Sequence, residues 1–334
     1  MTLTTTYLGL TLAHPIVCGA SPLTADLNLV LRLEDAGAAA IVMHSLFEEQ
    51  IVKGALRRSR EGRDARMHAA AEPYTAIPPY ARFGDEYLEH LLRVKARVGV
   101  PVLASLNGTT AEGWLHYARA LEQAGADALE LNFYNVASDP AESGVAIEQR
   151  LIDIVAVVTG SVRIPVSVKL LPFYSSIPNL ADRLERIGAR GVVLFNRLYL
   201  PDIDPDTGAA LKDVRLSDPS DLVPRLHAIA ALARFSGLSL ALSGGVHEGI
   251  DVVKAVMAGA DVVQVTSAIL QHGPSQLTYL RGFFESWLNR HGCESAARLR
   301  KSAAVVRERR GPSADRADYL SLLQRWNPEH HNSH

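Results

Sequence analysis

Short apolar runs alternate along the chain with longer segments of helical periodicity. Eight apolar runs of three to five residues lie at 16–18, 40–43, 102–104, 128–131, 166–169, 192–195, 238–242 and 262–265. Segments with apolar residues spaced three and four apart lie between them, at 27–36, 87–98, 111–124, 147–158, 180–187, 222–233 and 250–257. The pattern predicts eight strands that alternate with helices.

Glycines mark the ends of several predicted helices. Gly37, Gly125, Gly188 and Gly259 each precede the next strand, at a point where a left-handed C-terminal cap favours glycine. Parallel strands are covered on both faces, which explains why the predicted strands are almost continuously apolar. The sequence therefore predicts an α/β fold, a closed (β/α)8 TIM barrel, with a doubly wound open sheet as the alternative.

Composition and charge narrow the class of protein. The chain has 334 residues, of which 48% are hydrophobic and 21% charged, so we expect one large domain over residues 1–325. Residues 326–334 are expected to form a polar tail that binds no metal. The net charge of −2 argues against a nucleic-acid partner. Since no apolar run approaches the ~20 residues of a membrane span, we expect a cytoplasmic protein without a membrane partner.

The last two predicted strands both lead into small hydrogen-bonding residues. Ser243, Gly244 and Gly245 follow one strand, and Thr266 and Ser267 follow the next. Exposed backbone amides after the last strands of a barrel, each followed by a helix, are typical of a phosphate site. The pair therefore predicts a phosphorylated ligand.

Small, polar and charged residues stand at or just after all the predicted strand ends. They are Ala20, Ser21, His44, Ser45, Asn107, Asn132, Lys169, Asn196, Gly244, Gly245, Thr266 and Ser267. Because the carboxyl ends of barrel strands form the active-site face, this set predicts a ligand site in the barrel mouth.

Lys169 and three asparagines indicate the chemistry of that site. Lys169 ends an apolar strand, where its charge must point into the mouth or be penalised. It could act as a Schiff-base nucleophile or as a fixed positive charge beside a cofactor, and the structural alternative is an ion pair with Glu130. Asn107, Asn132 and Asn196 cannot act as acids or bases, so their convergence favours hydrogen bonds to a neutral heterocycle.

An ordered set of short motifs resembles the dihydroorotate dehydrogenase family. The motifs are TTYLGL at 5–10, HPIV at 14–17, ASP at 20–22, ELN at 130–132, VKL at 168–170, FNR at 195–197, SGGV at 243–246 and QVTSA at 264–268. Each motif is short, and their order along most of the chain is what makes the resemblance specific.

The resemblance implies an FMN-binding barrel that oxidises dihydroorotate to orotate in pyrimidine biosynthesis, with hydride transfer to flavin N5. It implies a flavin phosphate on the backbone of Gly244, Gly245, Thr266 and Ser267. The other cofactor contacts that it implies are Ala20, Ser21, Ser45, Asn107, Asn132, Lys169 and Asn196. Lys169 would there stabilise the negative charge of the reduced ring.

The chain departs from this family at the expected base. The family carries a Cys or Ser base in a motif of the form Asn-x-Ser-Cys-Pro-Asn after the fourth strand. The corresponding stretch here is Asn132-Phe133-Tyr134-Asn135, which has neither group. Tyr134 is the candidate substitute, although an ordinary phenol with a pKa near ~10 is a poor base at neutral pH. Ser138 lies further along the same loop.

Other departures also fall in the substrate half of the site. His44 stands where the family usually has Lys, so one charge becomes titratable. Arg197 follows Asn196 where Ser or Thr is usual, and its guanidinium could hold a carboxylate. The substrate contacts that we expect are therefore His44, Asn132, Asn135, Asn196 and Arg197, with Lys169 and Tyr134 as catalytic residues.

Three hypotheses follow from the sequence. The first is an FMN-dependent oxidoreductase that acts on dihydroorotate or a related dihydropyrimidine, with an atypical base. The second is a flavin-free barrel lyase or isomerase that uses Lys169 as a Schiff base on a phosphorylated substrate. The third is a flavin-binding electron-transfer subunit. A homodimer is the expected oligomer, with a possible electron-transfer partner.

Overall fold

Eight parallel strands close into a barrel in the computed structural model. The structure describes residues 1–49, 84–108, 110–135, 137–198, 201–211, 215–303, 306 and 312–325. The barrel strands are β1 (Ile16–Cys18), β2 (Ile41–Phe47), β3 (Val102–Asn107), β4 (Ala128–Asn132), β5 (Val166–Leu170), β6 (Gly191–Leu194), β7 (Ser239–Ser243) and β8 (Val262–Val265). Each strand pairs with the next along the chain, and β8 pairs with β1. The predicted TIM barrel and its eight strands are confirmed.

Helices follow the strands and cover the outside of the barrel. They are α1 (Leu27–Asp35), α2 (Gly84–Lys95), α3 (Ala111–Gln123), α4 (Gly144–Thr159), α5 (Ile177–Arg186), α6 (Leu222–Ala233), α7 (Gly249–Ala258), α8 (Ser267–His272), α9 (Ser275–Arg290), α10 (Ala296–Leu299) and α11 (Pro312–Arg325). The seven predicted helices correspond to α1–α7, with differences of up to three residues at their ends. The four glycines predicted to cap helices all have positive φ, between 88° and 113°.

Side chains alternate between the two faces of each barrel strand. In β4, Leu129 and Leu131 pack outward against the helices, whereas Ala128 packs into the floor of the barrel. By the same alternation Glu130 and Asn132 face the interior. The inner face thus changes from apolar at the amino ends of the strands to polar at their carboxyl ends, where the mouth lies.

An N-terminal hairpin closes the floor of the barrel. Its strands, Thr5–Tyr7 and Leu10–Leu12, pair antiparallel, and Tyr7 and Leu12 are buried among the inner apolar side chains. The sequence pattern did not predict this hairpin, because its three-residue strands are too short to show a period.

A bulge in β2 sets which of its residues face inward. Ile41 and Val42 pair with Val102 and Leu103, but the register shifts before Ser45, which pairs with Ser105. An extra residue in one strand re-aims the side chains that follow it. The bulge thus brings Ser45 next to Ser105 on the inner face.

One sequence prediction, the polar tail at 326–334, lies outside the described residues. The single-domain boundary at residue 325 stays a prediction. Among the residues that the structure describes, none of the helices combines the length and apolarity that crossing a bilayer requires.

Candidate active site

Three side chains from different strands form a buried polar cluster in the barrel. Lys169 Nζ lies 3.3 Å from Glu130 Oε1 and 3.3 Å from Gln264 Oε1. The Gln264 amide nitrogen donates to Glu130 Oε2 at 2.6 Å. Glu130 and Gln264 are fully buried, and Lys169 is 5% exposed. Each charged group therefore has both an opposite charge and an amide partner, as burial requires.

This cluster contains the ion pair with Glu130 that was the structural alternative for Lys169. The pair is compatible with the predicted ligand site, because Lys169 pairs with Asn132 across adjacent strands at the carboxyl end of the barrel. Gln264 was not predicted from sequence. Its signal was a polar residue inside the apolar run of β8, at a position where alternation points inward.

Asparagine and serine side chains form a hydrogen-bonded row beside Lys169. The Asn196 amide donates to Asn132 Oδ1 at 2.7 Å, and the Asn132 amide lies 3.4 Å from Ser45 Oγ. Ser45 and Ser105 share a hydrogen bond of 2.8 Å. The structure thus brings three predicted residues together, and it adds Ser105, which sequence reasoning missed. The row offers amide and hydroxyl groups suited to a heterocycle that carries both donors and acceptors.

The glycines after β7 have positive φ angles, which other residue types rarely adopt. Gly244 and Gly245 have φ of +94° and +77°. A Cβ on Gly245 would lie 2.4 Å from the backbone nitrogen of Leu222. A side chain is therefore excluded here both by backbone angle and by space.

Ser217 links this glycine turn to the residues after β8. Its Oγ accepts from the Gly245 amide at 3.1 Å and donates to Ser267 Oγ at 2.8 Å. The Ser217 amide also donates to Ser267 Oγ at 3.0 Å. The two segments predicted to bind phosphate are thus joined through one serine. Sequence reasoning missed Ser217, which lies in the long loop after β6.

The segment after β1 contributes small residues to the same face. A Cβ on Gly19 would lie 2.4 Å from Thr266 Oγ1, so a side chain at this position would force Thr266 to shift. Ala20 follows, and Ser21 is 5% exposed. In the described part of the chain, the Ser21 hydroxyl is one of the few buried polar groups without a hydrogen-bond partner. Asn107, at the end of β3, is also buried.

His44 lies apart from the cluster around Lys169. Its ring packs against Tyr87 of α2, with 4.8 Å between ring centroids, and its Nδ1 lies 3.5 Å from Thr24 Oγ1. It borders a cavity of about 220 Å³ lined largely by α2. Burial, followed by the neighbouring charge of His90, lowers the pKa of His44 to about 4. His44 is therefore neutral at neutral pH, in contrast with the titratable charge that we expected.

Arg197 is paired with carboxylate and carbonyl groups of the protein itself. Its Nη1 lies 2.7 Å from Asp221 Oδ2, and its Nε donates to the Arg215 carbonyl at 2.7 Å. Its amide donates to Asn196 Oδ1 at 2.9 Å, which holds it beside the asparagine row. A substrate carboxylate would have to share or replace these partners.

The loop after β4 carries Tyr134 and Asn135. Phe133 is buried and stacks on Trp114, with 4.6 Å between ring centroids. Tyr134 is 37% exposed and Asn135 is exposed. The stack anchors the loop directly before Tyr134, which leaves Tyr134 and Asn135 at the rim of the mouth, next to Asn132 in sequence.

Comparison with known proteins shows similarity over long stretches of the chain and not only in short motifs. A family model described as dihydroorotate dehydrogenase matches residues 83–281. A catalytic subunit of dihydroorotate dehydrogenase B (NAD(+)) from Methanocella arvoryzae is 29% identical over 274 residues, which cover 79% of this chain and 85% of that protein. The same kind of subunit from Thermoplasma acidophilum is 26% identical over 281 residues, which cover 82% of this chain and 89% of its own. A putative dihydroorotate dehydrogenase A (fumarate) from Aeropyrum pernix is 30% identical over 195 residues, 56% of this chain and 62% of that protein.

The family match contains six of the eight barrel strands, the Lys169 cluster, Asn132 and Asn196, and the glycine turn. Family membership favours an oxidoreductase over a Schiff-base lyase and over a subunit that only transfers electrons. Because the model covers more than half of the sequence, and relatives of the same name align over most of it, the chain belongs to the dihydroorotate dehydrogenase family of CH–CH oxidoreductases.

Proposed function

We propose that this protein is an FMN-dependent oxidoreductase that oxidises dihydroorotate or a closely related dihydropyrimidine. The observation that carries the proposal is the polar mouth of a family barrel, in which the buried Lys169 cluster lies beside the Asn132–Asn196 row. The glycine turn at Gly244 and Gly245 supports the choice of a phosphorylated cofactor.

Three features of the chain fit FMN. Within the described part of the chain the buried Ser21 hydroxyl has no hydrogen-bond partner, as expected of a group that a ligand satisfies. The positive φ of Gly244 and Gly245 leaves backbone without side chains, which a phosphate can approach closely. The amides and hydroxyls of the mouth match the donors and acceptors of a flavin ring and its ribityl chain.

The oxidation removes a hydride from C6 and a proton from C5 of the substrate and leaves a C5=C6 double bond. Bound FMN would supply the chemistry of accepting the hydride and passing its electrons to an acceptor. Lys169 provides a fixed positive charge for negative charge that develops on the ring. Asn132, Asn135 and Asn196 orient the substrate through its amide edges. Arg197 binds the substrate carboxylate while it also contacts Asp221.

Tyr134 is the proposed base for the C5 proton. It follows Asn132 on the anchored loop, in the region where the family resemblance implies a Cys or Ser base. Its hydroxyl would take the proton as the hydride leaves. The exposed rim position of Tyr134 supports access to a substrate that enters the mouth.

The anaerobic visible spectrum tests the proposal directly. The purified protein, supplied with FMN, should show oxidised-flavin bands that bleach when dihydroorotate is added. Bands that persist with dihydroorotate but bleach with another dihydropyrimidine would move the proposal to that substrate. A protein that keeps no flavin bands after FMN addition and removal of unbound flavin by gel filtration would refute the cofactor.

Two variants separate the roles of the loop residues. Tyr134→Phe should retain the flavin spectrum but slow anaerobic bleaching by about 10²–10⁴-fold, the usual effect of losing a general base. Ser138→Ala, on the same loop, is the matched control and should bleach at the wild-type rate. If Ser138→Ala slows bleaching and Tyr134→Phe does not, the base is Ser138 and not Tyr134.

The acceptor and the assembly are also part of the proposal. Two of the relatives named above are catalytic subunits of an NAD(+)-linked enzyme, whereas the third is named for fumarate. We propose that the chain forms a homodimer and passes electrons to a separate partner or acceptor. Light scattering after size-exclusion chromatography measures the oligomeric state. The rate at which fumarate reoxidises the bleached protein, compared with the rate for NAD(+), tests the electron acceptor.

A further inference from the structure

A buried arginine lies behind the glycine turn that we propose to hold the FMN phosphate. Arg225 belongs to α6 and is 8% exposed. Its Nε donates to the Ser243 carbonyl at 2.6 Å, and its Nη1 donates to the Asp221 carbonyl at 2.5 Å. Burying a guanidinium is unfavourable unless its charge is balanced, so its position calls for a compensating negative group.

Among the residues that the structure describes, Asp221 is the carboxylate that contacts Arg225, and it supplies only part of that balance. Asp221 Oδ1 lies 3.4 Å from Arg225 Nη1, whereas Asp221 Oδ2 lies 2.7 Å from Arg197 Nη1. One carboxylate therefore serves two guanidinium groups, and the closer contact belongs to Arg197. The two carbonyl oxygens that accept hydrogen bonds from Arg225 carry no net charge.

The incompletely balanced charge lies directly against the glycine turn. A Cβ on Gly244 would meet Arg225 Nε at 2.8 Å and Cζ at 3.2 Å. Gly245 is the next residue, and its amide already donates to a hydroxyl, that of Ser217. A positive charge in a buried setting acts more strongly on a nearby anion than the same charge in water does.

We infer that Arg225 gives this turn its affinity for a phosphate dianion, and thereby makes the protein select FMN over riboflavin. The inference rests on the proposed FMN function. Arg225 acts through the turn by its charge, so it is a positioning and electrostatic residue and not a catalytic one.

The test compares the affinities of flavin-free protein for FMN and for riboflavin, measured by quenching of flavin fluorescence at fixed ionic strength. Riboflavin lacks the phosphate but keeps the ring and the ribityl chain. Arg225→Gln should weaken FMN binding at least about tenfold while riboflavin affinity changes less than about threefold. Arg225→Lys, which keeps the charge, should retain most of the preference for FMN.

Two further variants control for folding and for net charge. Arg215→Gln removes the same charge from a side chain that is 85% exposed, and it should leave the ratio of the two affinities unchanged. Asp221→Asn removes the shared counter-charge while Arg225 stays in place, so it should raise the preference for FMN. This variant decides the question if Arg225→Gln does not fold.

The outcomes distinguish the inference from the function on which it rests. Equal losses of FMN and riboflavin affinity in Arg225→Gln, or an unchanged ratio in Asp221→Asn, would overturn the role of Arg225 alone. A wild-type protein that binds neither flavin would overturn the proposed function and the inference with it. A selective loss of FMN binding, with Arg215→Gln unaffected, would support both.

Discussion

Removing the ammonium of Lys169 should destabilise the barrel, because it leaves the Glu130 carboxylate buried without a counter-charge. The two charged atoms are 3.3 Å apart, and their side chains are 6% and 0% exposed. At an effective dielectric constant of about 20, charges at this distance interact with about 5 kcal/mol. Breaking a buried pair by removing one partner typically costs about 3–5 kcal/mol, which agrees in size with that value.

Thermal unfolding of flavin-free protein measures this effect, since bound flavin would itself add stability. An unfolding entropy of about 2.1 cal/mol/K per residue gives about 0.7 kcal/mol/K for a chain of this length. Lys169→Met should therefore lower Tm by about 4–7 °C. The matched control is Arg186→Met, which breaks an exposed pair with Asp182 and should change Tm by less than about 2 °C.

The double variant Lys169→Met with Glu130→Gln tests the electrostatic reasoning. With both charges removed, no isolated charge remains, so its Tm should lie above that of Lys169→Met alone. If the second substitution lowers Tm further, packing around Lys169 carries the stability and the reasoning from paired charges is wrong.

Two more predictions concern backbone space and pH. Gly245→Ala should abolish FMN binding and lower Tm, because its Cβ would lie 2.4 Å from Leu222 N and its φ is +77°. Gly273 has φ +80° but open space around it, so Gly273→Ala is the control. A decrease in Tm as large as that of Gly245→Ala would show that the backbone angle alone is responsible. His14 accepts from the Ile16 amide through Nδ1, and burial lowers its pKa to about 4. The stability that neutral His14 contributes is present above pH ~6.5 and is lost as pH falls from ~6.5 to ~4, by up to about 1.4 kcal/mol per pH unit. His14→Asn should flatten this part of a Tm–pH profile, and an unchanged slope would contradict the assignment.

The regular parts of the fold were predictable because their causes are local. A strand buried on both faces needs an apolar run, and a helix that ends before a strand needs a left-handed cap, as at Gly37 and Gly259. Both requirements appear within a few neighbouring residues. The strand ends therefore located the mouth of the barrel without any knowledge of tertiary contacts.

The partners within the site were less predictable because they depend on closure of the barrel. Gln264 donates to Glu130 across 134 positions of sequence, and only the circular strand order brings them together. The direction of His44 depends on the bulge in β2, which has no signal in the apolar pattern. Ser217 lies in an irregular loop, where periodicity gives no information.

The cofactor half and the substrate half of the proposed site differ in how strongly the structure restricts the residues that they can contain. Gly244 and Gly245 are restricted by space and by positive φ, and Gly19 is restricted by the space beside Thr266, so a substitution at any of them disturbs the barrel itself. Tyr134 and Asn135 lie exposed on a loop, where a new side chain meets few neighbours. The proposed substrate contacts can therefore change while the proposed cofactor contacts do not, which agrees with the sequence motifs, where the glycine turn matches the family resemblance and the expected Cys or Ser base is absent. For this reason the spectral test should include several dihydropyrimidines, because the fold constrains the proposed cofactor more tightly than it constrains the substrate.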